Sequence, residues 1–194
     1  VIIPEPFYAN YNGFAHASDV KVIPVTSKIE DNFALPSLES FEKKINKRTK
    51  AILICNPCNP TGYVYSKEEI ISIANLAKKN DLFIVVDEVY REFIYTDMKH
   101  YSILEDKMFF NNAILIDSTS KRYSLCGARI GFIVSKNSNF IETCLKFALA
   151  RLSPPTLALI AANKALSSNQ NYIDGVISEY SHRREVLIDE LSKI

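Results

Sequence analysis

The sequence predicts an α/β protein: an α/β/α sandwich on a mostly parallel, doubly wound sheet. Two observations carry this reading. Short Val- and Ile-rich runs alternate with helical patterns along the chain, the order expected of βαβ units. The runs are also continuously apolar rather than alternating, as expected of strands buried on both faces. Val1 opens the chain in what reads as a buried strand. Further strands follow at Val20–Val25, Ala51–Cys55, Leu82–Val86 and Ala113–Ile116, with Ile130–Val134 as another short one. Helices are predicted between them. One spans Ser37–Lys47, after Pro36. The next, Ser66–Asn80, opens on a capping box of Ser66 and Glu69 and repeats apolar residues at Ile70, Ile73, Ala74 and Ala77. The last third turns helical, over Phe140–Ala150, Pro155–Leu166 and from Tyr172 onward. No repeat, low-complexity tract or flexible linker interrupts this order.

Composition bounds the function. The chain has 194 residues, 23 basic and 22 acidic, for a net charge of +1, and 47% of its residues are hydrophobic. That suits one sizeable core and is too short for two full domains. The balanced charge carries no footprint for nucleic acid or acidic lipid, and no apolar run approaches the ~18 residues of a membrane span. The N-terminal residues lack the basic and small-residue pattern of a signal peptide. Cys55, Cys58, Cys126 and Cys144 are four thiols in a domain large enough to fold without disulfide staples, so a reduced, cytoplasmic setting is expected. Cys55 and Cys58 have the spacing of a zinc pair but no second pair beside them, so no metal is assigned. His16, His100 and His182 are scattered and receive no role. The start at Val1 and the uncapped pattern ending at Ile194 predict a fragment of a longer protein.

In sheets of this kind, ligand chemistry gathers at the carboxyl ends of the strands. Three loops there carry unusual residues. After Cys55 comes Asn56-Pro57-Cys58-Asn59-Pro60-Thr61-Gly62. It reads equally as an ordinary turn or as a stiffened one that holds the Asn59 amide as a donor. After Val86 comes Asp87-Glu88-Val89-Tyr90. Asp87 is either a solvated strand terminus or a buried carboxylate aimed at a cationic ring nitrogen. Neighbours on a strand face opposite ways, so Asp87 and Glu88 do not form an acid pair. After Ile116 come the hydroxyls Ser118, Thr119 and Ser120, then Lys121, with Arg129 eight residues further on. Hydroxyls and a guanidinium suit a phosphate. A desolvated lysine beside them suits nucleophilic attack on a carbonyl to form a Schiff base. No glycine-rich nucleotide loop is present.

Together, Pro6-Phe7-Tyr8-Ala9-Asn10-Tyr11, Asn59-Pro60-Thr61-Gly62, Asp87-Glu88-Val89-Tyr90, Ser118-x-Ser120-Lys121 and Gly127-x-Arg129-x-Gly131 resemble the class I/II aminotransferases. These are fold-type I enzymes dependent on pyridoxal 5'-phosphate, and the resemblance covers essentially the whole chain. The sequence is most similar to bacterial aspartate-type members. The resemblance implies that Lys121 condenses with the cofactor aldehyde and moves the substrate Cα proton. It implies that Asp87 pairs with the pyridine nitrogen, and that Tyr90 and Asn59 donate to the phenolate oxygen. Tyr8 would stack on the ring, although its plain reading is a core aromatic, while Ser118 and Arg129 would hold the phosphate. The implied reaction moves an amino group from an amino acid, with aspartate a candidate, to a 2-oxo acid. A lyase or decarboxylase, or the ligand-sensing domain of a transcription regulator, could use the same loops. The resemblance further implies a homodimer. It divides the chain into residues 1–168, part of the cofactor-binding large domain, and 169–194, the start of a connecting helix toward a small domain. The arginine that binds the substrate α-carboxylate would lie beyond Ile194, so this chain alone is expected to be catalytically impaired.

Overall fold

A computed structural model describes residues 1–167 and 170–194. The expected division between residues 168 and 169 lies outside the described residues. Six strands, β1 (Ile2–Glu5), β2 (Ile23–Thr26), β3 (Ala51–Cys55), β4 (Phe83–Asp87), β5 (Ala113–Ser118) and β6 (Gly131–Val134), form one sheet. Its order is β2-β1-β3-β4-β5-β6. All neighbours pair in parallel except β5 with β6, which run antiparallel. The helices are α1 (Asn10–Ala17), α2 (Leu38–Glu42), α3 (Lys67–Lys79), α4 (Thr119–Arg122), α5 (Ser138–Arg151), α6 (Thr156–Leu166) and α7 (Gln170–Leu191).

The mostly parallel sheet with helices is the predicted architecture, and the reason is visible in β4. Ile84 and Val86 are fully buried against α3, which sends Ile70, Ile73, Ala74 and Ala77 into the same cluster. Phe83 and Asp87 alternate to the other face. There the Phe83 ring meets Phe140 of α5, with centroids 5.5 Å apart, and Asp87 meets Tyr11 of α1. Helices therefore lie on both sides. The α3 capping box forms as read, with Ser66 Oγ accepting from Glu69 N–H and Glu69 accepting from Ser66 N–H.

Besides the single-turn α4, which has no counterpart in the sequence expectation, three elements differ from it. Residues 20–22 lie outside β2, because Val20 N–H is spent on the Ala15 carbonyl at the end of α1. The helix expected over Ser37–Lys47 stops at Glu42. Asn46 and Thr49 capture backbone donors there: Asn46 N–H donates to Thr49 Oγ1, and Arg48 N–H to Asn46 Oδ1. Helix α1 was not read at all. It buries only Tyr11 and has no side-chain cap, so it lacks the apolar period that announces a helix.

Candidate functional site

The carboxyl ends of β3, β4 and β5 converge on a cavity of about 260 Å³. Tyr8, Asn59, Asp87, Tyr90, Ser118, Lys121 and Arg129 all line it. Strand register accounts for much of this. Cys55 pairs with Asp87, and Asp87 with Ile116, so the loops that follow these strands start at one level. The remaining contributions come from α4, which holds Lys121 one turn past Ser118, and from the antiparallel return into β6. Ser118 pairs with Gly131 in that return, and a Cβ at Gly131 would come within 3.3 Å of the Asp117 carbonyl.

Asp87 is held from two sides. The Tyr11 hydroxyl donates to its Oδ2 at 2.7 Å, and Val89 N–H donates to its Oδ1 at 3.2 Å. Burial nevertheless pushes its carboxyl above the ordinary carboxylate value, and the charges of Asp117 and Glu88 push the same way against those two donors. A buried carboxylate in this state lacks a counter-charge, and a cationic partner would restore its ionised form. The Tyr11 hydroxyl is itself driven far up, first by burial and then by Cys55 and Asp87, so it stays a donor. The Cys55 thiol is pushed up to about 12, mainly by burial. It lies 3.2 Å from the Pro57 carbonyl, a closed structural contact.

Lys121 Nζ lies 5.6 Å from the centre of the Tyr90 ring, inside cation–π range. Ser118 Oγ accepts from Ser120 N–H and sits 2.8 Å from Ser120 Oγ. Arg129 is exposed, in the left-handed region at φ 57°, with one nitrogen donating to the Cys126 carbonyl. Tyr8 stands at the mouth, its hydroxyl accepting from Asn10 Nδ2 at 2.8 Å and its ring edge-on to Tyr11.

Glu88 faces away from this cavity, as the strand alternation required. It is fully buried, with Oε1 accepting from Ser102 Oγ and Ile103 N–H and Oε2 2.9 Å from His100 Nε2. His100, given no role from sequence, is thus a structural partner of Glu88. Asp117 is a second support the sequence did not single out. Arg122 and Arg91 clamp its Oδ2 at 3.1 and 3.2 Å, tying the loop after β4 to the end of β5. Arg122 Nε also lies 3.2 Å from Glu92 Oε1, at ion-pair distance but misaligned for a hydrogen bond.

A second cavity of about 580 Å³ adjoins the first and shares Asn59, Tyr90, Ser120, Lys121 and Cys126 with it. Its far wall includes Tyr180 of α7. Helix α7 is docked there by the Tyr172 hydroxyl, 2.9 Å from Ser124 Oγ. Neither Tyr11 nor Tyr180 was identified from sequence as a site residue. Tyr11 sits inside a motif already singled out, whereas nothing local marks Tyr180.

An amine, a buried carboxylate, two serine hydroxyls and an exposed guanidinium around one cleft are suited to a phosphorylated, ring-containing carbonyl compound. The donor set therefore fits the cofactor that the sequence resemblance implies. The chain belongs to the class I and II aminotransferase family, whose model matches residues 1–194. It is 34% identical to an aspartate aminotransferase of Pyrococcus abyssi over 197 residues, covering 100% of this chain and 50% of that protein. Among solved structures, it is similar to an aromatic aminotransferase from Pyrococcus horikoshii OT3. That match has a TM-score of 0.91 and 32% identity, and covers 99% of this chain and 52% of the other. An aspartate aminotransferase from Thermotoga maritima matches with TM-score 0.89 and 31% identity, over 99% and 50% of the two chains. The chain spans about half the length of the curated relatives it matches.

Proposed function

We propose that the chain carries the cofactor site of a pyridoxal 5'-phosphate-dependent aminotransferase, which moves an amino group from an amino acid to a 2-oxo acid. The observation that carries this is the meeting of Lys121, Asp87, Tyr90, Asn59, Ser118, Arg129 and Tyr8 around one cavity. Family membership supports it, and the names of relatives make aspartate a candidate substrate. Bound pyridoxal phosphate supplies an aldehyde and a pyridine ring that withdraws electrons from the substrate Cα. Lys121 would provide the amine for that aldehyde and the group that holds the Cα proton. Asp87 provides the anion for a protonated ring nitrogen, which relieves its own unfavourable burial. Tyr90 and Asn59 would offer donors to the ring oxygen, Ser118 and Arg129 would hold the phosphate, and Tyr8 would cover the ring face. The proposal includes a homodimer, a cytoplasmic location, and a role for residues 1–168 in the large domain with 169–194 leading toward a small one.

The test is the absorbance spectrum of the chain with pyridoxal phosphate, followed by borohydride reduction and peptide mapping. A visible band and a pyridoxyl group fixed on Lys121 are expected, both absent from Lys121→Ala. No label, or a label spread over surface lysines, overturns the reading.

A further inference from the structure

Lys121 stands on a weak support. Its helix, α4, has four residues, and a single helical turn does not hold its own shape in water. The start of α4 is tied down by Ser118 Oγ and Thr119 N–H, which both donate to the Ile130 carbonyl. Its end is tied by Arg122, the residue after Lys121, which reaches back to Asp117 Oδ2 at 3.1 Å. The other oxygen of Asp117 accepts from Ser118 N–H at 2.7 Å. Lys121 therefore sits in a short stretch of chain closed at both ends on one carboxylate.

The loop after β4 is fastened to the same group. Arg91 reaches Asp117 Oδ2 at 3.2 Å, and Glu92 Oε1 lies 3.2 Å from Arg122 Nε. Inside that loop, Arg91 N–H donates to the Glu88 carbonyl and Phe93 N–H to the Tyr90 carbonyl. Tyr90, Arg91 and Glu92 thus belong to one hydrogen-bonded turn, and two crossed ion pairs join that turn to α4. The four side chains are largely buried, where such pairs are screened least. Two acids face two bases, so the formal charges cancel. What the cluster transmits to the amine is position rather than field. Arg91 and Glu92 are not among the described residues lining either cavity, so any effect they have there acts through Lys121 and Tyr90.

Resting on the reading above, we propose that Arg91 and Glu92 are positioning residues, a brace that fixes the Lys121 amine against the Tyr90 ring for reaction with the cofactor aldehyde. The 5.6 Å between Lys121 Nζ and the centre of that ring is the distance the brace sets. Small misplacements of a reacting group are costly, even when they originate away from the chemistry.

Two compounds separate the placement of the amine from the pocket as a whole. Pyridoxal 5'-phosphate and pyridoxamine 5'-phosphate share ring and phosphate, but only the first carries an aldehyde for Lys121. Their affinities are measured by calorimetry on the chain and on the double variant Arg91→Gln/Glu92→Gln. That variant removes one charge of each sign and leaves the buried pair of Asp117 and Arg122 in place. Its affinity for pyridoxal phosphate is expected to fall about tenfold, a difference of about 1.4 kcal/mol. Pyridoxamine phosphate affinity should stay unchanged, and a smaller share of the bound aldehyde should absorb in the visible. If the double variant loses its far-ultraviolet circular dichroism, Arg91→Gln alone, which keeps the tie between Glu92 and Arg122, should show the same selective loss at about threefold. An equal fall for both compounds overturns the brace, because the pair would then shape the pocket rather than place the amine. Unchanged affinity for both compounds overturns it as well, and either result leaves the cofactor reading standing. Failure of the parent chain to bind either compound overturns the cofactor reading and the brace together.

Discussion

Asp87 is the residue where stability and function oppose each other. Its carboxyl is raised above the ordinary value of 3.8 chiefly by burial, so the folded chain holds this proton more tightly than the unfolded chain does. That contribution is whole below 3.8 and is lost as pH rises from 3.8 through the raised value. Asp87→Asn removes the dependence. Urea unfolding of the ligand-free chain, from about pH 4 to about pH 7, should show the variant gaining on the parent as pH rises. A flat or shrinking gap would mean that Asp87 is not held against its ionisation. Tyr11→Phe acts in the opposite sense, because it removes the hydroxyl that supports the ionised form. It should cost about 1–3 kcal/mol where Asp87 is charged, and less at low pH. The same unfolding curves read this, and an equal cost at both ends would point to lost packing instead. The two residues were not equally legible. An acid closing an apolar strand is visible in sequence, but Tyr11 gains its role from a partner 76 positions away. The neighbouring Tyr8 offers the same phenol, and only the fold distinguishes them.

Elements were legible where local chemistry and tertiary packing agree. Helix α3 has cap, period and buried face all in sequence, and it forms as read. Helix α1 has only Tyr11 buried, so its existence depends on contacts that no periodicity records. The six-strand order was legible only as alternation, because pairing partners are set by crossovers rather than by neighbours in sequence. The clamp on Asp117 shows how such non-local joins matter, since it ties the end of β5 to the loop carrying Tyr90. Arg122 and Asp117 side chains are 8% and 11% exposed, while Arg91 is 29% exposed. Asp117→Ala therefore leaves the buried Arg122 guanidinium with only its Nε contact to Glu92 and should cost on the order of 3 kcal/mol in urea unfolding. Arg91→Ala leaves the buried pair intact and should cost below about 1 kcal/mol. Equal costs would show that the two arginines share the carboxylate evenly and that burial does not rank them.

At the scale of the whole molecule, the chain exposes 12435 Å², whereas a compact monomer of 22.0 kDa exposes roughly 9300 Å² by the usual size scaling. Much of the excess is apolar and sits on the last three helices. Phe147 and Leu149 of α5, Leu157 and Ile160 of α6, and Leu187 and Leu191 of α7 are all well exposed. Helix α5 has no buried residue at all. A 14-residue helix is marginal on propensity alone, because nucleation is costly and packing supplies most helical stability in proteins. Among the described residues no helix is long and apolar enough to cross a membrane. Exposed apolar side chains gathered in this way mark a contact surface. A second copy of the chain is the one partner always present in a pure solution. Sedimentation velocity should therefore show species heavier than 22.0 kDa as concentration rises. Phe147→Asp combined with Leu149→Lys should move the population back toward the monomer with the far-ultraviolet circular dichroism unchanged. A single monomer boundary at every concentration, with no binding of an apolar dye, would show that the three helices shelter these side chains among themselves. In that event α5 would be held by that packing, and hydrogen exchange along Ser138–Arg151 would be slower than in an unfolded peptide.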